Sequence, residues 1–137
     1  MNTLRGPISL AGRCLLSQIF LISGTLKITG FSVTAGYMTG KGMPMVRVLL
    51  VGALVVEILG GLGILVGFKA RVASGALFLY LIPVTILFHN FWALQGMERQ
   101  EAMSHFMMNL AVMGALLLVA ALGAGGWSMD ERSAKQN

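Results

Sequence analysis

Four apolar runs of about twenty residues dominate this chain, at about Ile8–Ile28, Val46–Phe68, Val72–Leu94 and Met103–Leu122. A helix rises 1.5 Å per residue, so each run matches a hydrocarbon core of roughly 30 Å. Lipid offers no partner to an unpaired backbone N–H or C=O, so segments this long and this continuously apolar must be helices. Barrel strands would alternate apolar and polar positions, and these runs do not. The expected fold is an all-α integral membrane protein, an antiparallel bundle of four transmembrane helices forming a single domain over residues 1–137.

The connections fit this reading. Gly6-Pro7 opens the first run, where proline is tolerated in a first helical turn. Residues 29–45 form a Gly- and Thr-rich connector whose Phe31, Val33, Tyr37 and Met38 suit a short helix lying at the interface. Lys69 and Arg71 sit in a tight turn, and residues 95–102 read as a polar loop carrying Glu98, Arg99 and Glu101. Residues 127–137 read as a polar, frayed tail.

Only 11% of the residues are charged, against about a quarter in a soluble domain, because lipid-facing surface needs no solvation. The formal net charge is +5, but the cations are scattered at helix ends, where headgroups hold them. The pattern excludes nucleic acid as a partner and makes the lipid bilayer the expected one. An even number of spans puts both termini on one side with Arg5, Lys69, Arg71, Arg132 and Lys135. Lys27, Lys41, Arg47 and Arg99 lie on the other, so the positive-inside rule favours cytoplasmic termini. The first run continues past Arg13 to Ile28, too long for a signal-peptide core, and is expected to be retained. Cys14 is the sole cysteine, which removes any internal disulfide or CxxC pair. Trp92 and Trp127 fall at opposite ends, as interfacial anchors do.

Ionisable residues inside a span are expensive to insert and mark candidate sites. Glu57 is the deepest, near the middle of the second run, with Gln18 expected level with it and Arg13 about a turn away. Arg13, Ser17, Phe20, Gly24 and Lys27 follow helical spacing on one face. In an antiparallel bundle Lys27, His89, Asn90, His105 and Asn109 share one leaflet. The pattern is a polar seam that widens toward the Lys27 end. Two readings stand for Glu57: a structural ion pair with Arg13, or a carboxylate that handles protons or faces a ligand, since burial demands pairing or protonation. His89 reads equally as an interhelical hydrogen-bond partner or a ligand contact. His105 reads as an interfacial residue and Asn109 as a bridge between helices.

No metal site is expected, because His89 and His105 are the only histidines and no cysteine pair accompanies them. Gly24, Gly60, Gly61, Gly63 and Gly67 are small residues that let helices approach closely. Their place within or at the end of apolar spans rules out a phosphate cradle. Pro83 is expected to bend the third helix and free the carbonyl of Leu79.

The order Arg13, Phe20-Leu21-Ile22-Ser23-Gly24, Lys27-Ile28, Tyr37 and Gly42-Met43-Pro44 resembles the DoxX family of small bacterial membrane proteins. Glu57, Gly60-Gly61, Gly67, Phe88-His89, Gly123-Ala124-Gly125 and Ser128-Met129-Asp130 extend the likeness over nearly the whole chain. The resemblance implies a four-helix protein of the bacterial inner membrane. It also implies a link to membrane oxidoreductases, including thiosulfate:quinone oxidoreductase subunits and assemblies that answer oxidative stress. The lone Cys14 argues against autonomous thiol chemistry.

Together the one-leaflet cluster and the resemblance point to a quinone-linked redox component, at most a subunit of an oxidoreductase. A quinone ring would lie in the bundle with Lys27, His89 or Asn109 donating to its carbonyls. No other cofactor is evident. The partners expected besides lipid are soluble redox proteins or further copies of the chain. A non-catalytic membrane scaffold is the alternative, and a small-molecule permease ranks behind both.

Overall fold

The computed structural model describes residues 4–136, and Asn137 at the end of the predicted tail lies outside them. Helix α1 spans Arg5–Thr29, α2 Phe31–Gly40, α3 Val46–Val66, α4 Ala70–Phe88, α5 Gly96–Leu122 and α6 Met129–Ala134, with a 3-10 turn at Phe91–Ala93 between α4 and α5. The described residues contain no strand. The segments Arg5–Thr29, Val46–Val66, Ala70–Ala93 and Gly96–Leu122 are each long and apolar enough to cross a membrane. Side chains such as Ile8, Leu15, Leu59, Leu79 and Leu118 lie exposed on their outer faces. In water such a surface would be untenable; in lipid it is the solvated one.

α3 packs against both α1 and α4, and α5 packs on α4. Phe20, Ile64, Leu77, Leu81 and Leu116 form one buried cluster that takes at least one side chain from every spanning helix. Close approach depends on glycine. A Cβ on Gly60 would stand 2.7 Å from Leu77, on Gly61 2.9 Å from Leu21, and on Gly24 2.6 Å from Ile58. These contacts set the axial register. Gly24 of α1 lies against Glu57 and Ile58 of α3, and Gly61 lies against Phe20 and Leu21.

Three boundaries differ from the sequence reading. α5 starts at Gly96 rather than near Met103, so Glu98, Arg99 and Glu101 ride its first turns and do not form a loop. An acidic first turn suits the positive end of the helix dipole. α4 stops at Phe88, with His89 as its C-cap and Asn90 opening the 3-10 turn. The tail is docked, not frayed. Ser128 caps α6, accepting from the Glu131 N–H, and Asp130 caps α4 by accepting from the N–H groups of Lys69 (2.7 Å) and Ala70 (3.0 Å). The Asp130 N–H in turn donates to the Gly67 carbonyl at 2.9 Å. Four helix-terminal N–H groups have no partner of their own in any helix, and here the tail supplies acceptors for two of them.

Candidate functional site

α1 carries cations at both ends of one face, and each finds a different kind of partner. Toward the α2 end, Lys27 Nζ reaches the Glu57 carboxylate on α3 at 2.8 Å and 2.9 Å. Ser23, one turn before Lys27, donates its hydroxyl to Glu57 Oε1 at 3.2 Å and accepts from Lys27 Nζ. Tyr80 of α4 donates to the same oxygen at 2.9 Å. The carboxylate is thus tied to three donors on two neighbouring helices. Glu57 is almost fully buried, whereas the Lys27 side chain keeps 24% of its surface exposed.

Arg13 does not pair with Glu57. Its guanidinium donates to the carbonyls of Leu65 (3.1 Å), Gly126 (3.3 Å) and Trp127 (2.7 Å), joining the end of α3 to the loop before α6. Register decides this. Glu57 lies level with Gly24, and Arg13 sits eleven residues earlier, about 16 Å along the helix. Gly67 lies beside the guanidinium in the left-handed region (φ 68°), where a side chain would meet Arg13 and Ser128. Gln18 is likewise not level with Glu57. It falls more than a turn and a half short of Gly24 and is exposed on the outer face of α1.

A second polar group lies in the same half of the bundle as Lys27. The rings of His89 and His105 stack at 5.3 Å, joining the end of α4 to α5. Asn109 Nδ2 donates to Thr85 Oγ1 at 3.1 Å, one helical turn before His89. The buried Oδ1 of Asn90 has no hydrogen-bond donor among the described residues. Among the described residues no hydrogen bond joins this group to the Glu57 cluster, and no three His, Cys, Asp or Glu side chains converge as metal ligands.

Sequence reasoning singled out Lys27, Glu57, His89, Asn90 and Asn109 but missed two members of the cluster. Ser23 stands four residues before Lys27, a spacing that could have flagged it. Tyr80 reads as an ordinary apolar-face aromatic, and only its register against Glu57 reveals the phenol's role. The carbonyl partners of Arg13 leave no side-chain signal at all.

The DoxX family model matches residues 8–90, which span α1 through the end of α4 and include Ser23, Lys27, Glu57, Tyr80 and His89. The chain belongs to the DoxX family. Among DoxX relatives, inner membrane protein YphA of Escherichia coli is 31% identical over 140 residues, covering 96% of this chain and all of the relative. Inner membrane protein YqjF of the same organism is 35% identical over 121 residues, 88% of each chain. The chain is also similar to the ER-derived vesicles protein ERV29 of Saccharomyces cerevisiae, 36% identical over 78 residues, 57% of this chain and 25% of that protein. No solved structure matches the chain. With four apolar helices of spanning length and relatives of the inner membrane, this DoxX protein is a multi-pass inner-membrane protein.

Proposed function

We propose that this DoxX protein is a quinone-linked component of a membrane redox system, binding a quinone headgroup beside the Lys27–Glu57–Tyr80 cluster. The carrying observation is the buried carboxylate of Glu57, held by Lys27, Ser23 and Tyr80, all three of them partly exposed. A quinone carbonyl needs hydrogen-bond donors in a dry setting, and Lys27 and Tyr80 become such donors when they shift from Glu57. Converting the quinone to its quinol takes up two electrons and two protons. The electrons would come from a partner oxidoreductase and the two protons from the aqueous side, passed through the hydrogen bonds that join Lys27, Glu57 and Tyr80. Lys27 already meets Ser23 and both Glu57 oxygens, whereas Asn109 donates once, to Thr85, so a quinone drawing on Lys27 must displace one of its present acceptors.

Orientation follows from the same geometry. Arg13 reaches the side of the termini through its bonds to Gly126 and Trp127, while Lys27 is consumed by Glu57. Both shifts enlarge the excess of cations beside the termini and favour a cytoplasmic location for them.

The test is retained and added quinone. Purified wild type should carry quinone by mass spectrometry, and a soluble short-chain quinone should raise its Tm, an increase that Lys27→Met abolishes. A protein without quinone whose Tm ignores the ligand would end this reading. One observation favours a second: both Glu57 oxygens already have donors inside the protein, as a purely structural lock would require. In that scaffold reading an oxidoreductase co-purifies equally with wild type and with the Lys27→Met, Glu57→Leu double variant.

A further inference from the structure

On the side of the termini, a groove of about 1140 Å³ runs between the start of α1, the α3–α4 turn, the end of α5 and the docked tail. Arg5, Lys69, Arg71 and Lys135 line it, together with Asp130 and Glu131. The two acids are already committed. Asp130 caps α4 through the Lys69 and Ala70 N–H groups, and Glu131 binds Lys135 and the Trp127 N–H. Arg5, Lys69 and Arg71 form no salt bridge among the described residues. They are exposed, and each stands at the end of a spanning helix, which is headgroup depth. Arg71 lies against Gly123 at the end of α5, closing the groove toward the apolar Val72 and Leu122, both of which are also exposed. Trp127 walls the opposite side. It sits against Gly6 in the left-handed region (φ 57°), a conformation costly for a bulky residue and held here by the docked tail.

We propose that this groove holds an anionic phospholipid, its phosphodiester taken by Arg5, Lys69 and Arg71 and an acyl chain following Val72 and Leu122 along the outer face of α4 and α5. Charge complementarity identifies the occupant: three cations without carboxylate partners face one concavity whose only acids are occupied. Apolar side chains continue from that concavity into the hydrocarbon region. A soluble anion would satisfy the cations but leave the apolar extension unused.

The experiment uses the full chain in nanodiscs of phosphatidylcholine with increasing phosphatidylglycerol. Native mass spectrometry should show phosphatidylglycerol retained in preference to phosphatidylcholine, and Tm should rise with its fraction. Arg5→Gln with Lys69→Gln and Arg71→Gln should weaken that retention on the order of tenfold or more, whereas Arg47→Gln with Arg99→Gln, on the opposite side, should leave it intact. Equal retention of the two lipids, or equal loss in both variants, overturns the proposal. Inorganic phosphate raising Tm in detergent through the same three residues, with no lipid preference, would identify a free-anion site and also overturn it. Wild-type retention that does not fall between low and high salt is a third overturning result, and it needs no variant to fold.

Discussion

Lys27 and Arg13 occupy the same face of one helix and both reach α3, yet they solve the cost of a membrane-embedded charge in opposite ways. Lys27 meets a carboxylate that can gain or lose a proton, with two hydroxyls around it. Arg13 meets only carbonyl oxygens, which cannot titrate, and its guanidinium stays charged at any working pH. The first arrangement has two states available and the second has one. The chemistry of this protein is therefore expected at the Lys27 end, while the Arg13 end fixes architecture. Removing one member of the Lys27–Glu57 pair tests this contrast most severely, because it strands a charge in a nearly sealed site. Lys27→Met should destabilise by about 3–5 kcal/mol, and adding Glu57→Leu should recover most of it, since well-packed apolar replacements of buried pairs are often neutral. Denaturant unfolding in mixed micelles measures both. Single variants within about 0.5 kcal/mol of wild type would show that lipid or water already shields the pair, and the contrast would lose its basis.

At the other end the expected loss is smaller and of a different kind. Arg13→Lys keeps the charge, but one ammonium on a shorter stem cannot span carbonyls on α3 and on the 126–127 loop together. A cost of about 1–3 kcal/mol should appear with faster proteolysis beyond Leu122, because the freed carbonyls belong to the segment that leads into α6. Coupling between Arg13 and Glu57 in a double-mutant cycle should stay within about 0.5 kcal/mol, as befits groups about 16 Å apart along the bundle. A larger coupling would revive a direct pair between them. Asp130→Ala should cost about 1 kcal/mol by uncapping α4 at Lys69 and Ala70, with the same protease assay reporting a looser tail.

The spans could be read from sequence because lipid imposes a single rule on every residue of each run. Gly24, Gly60 and Gly61 could be read as packing positions for a related reason, since only small residues permit the approach that the α1–α3 and α3–α4 crossings require. Register could not. Span midpoints suggested Gln18 opposite Glu57, whereas the glycine contacts slide α1 so that Gly24 takes that place. That slide carries Lys27 to the carboxylate and Arg13 away from it. Whether Glu57 pairs with one cation or the other is thus decided by backbone contacts that leave no polar signature. The tail illustrates the same limit. Its composition is that of a solvated end, yet Ser128, Asp130 and the carbonyls of Gly126 and Trp127 each complete a helix terminus or a buried cation.

The weakest expected effect also belongs to the tail and separates its two kinds of fastening. Lys135, and next the Trp127 N–H, hold the Glu131 carboxyl below the ordinary carboxylate range, against a small opposing effect of desolvation. A depressed folded-state pKa means the contact contributes fully above the unfolded carboxylate value of about 4.3 and is lost as pH falls through the lower folded value. The bonds from Arg13 to Gly126 and Trp127 have no such dependence. Acidification should therefore loosen α6 while the 126–127 loop stays clasped. In a Trp92→Phe background, Trp127 fluorescence reports the segment alone. It should change modestly as pH falls below about 4.3, lose that change in Glu131→Gln, and show a reduced amplitude in high salt. A large, cooperative change would mean the Arg13 clasp itself gives way with Glu131, so that the two do not hold the tail independently. No change at all would mean that the Arg13 bonds to Gly126 and Trp127, with the Asp130 bonds to Gly67, Lys69 and Ala70, hold α6 without help from Glu131.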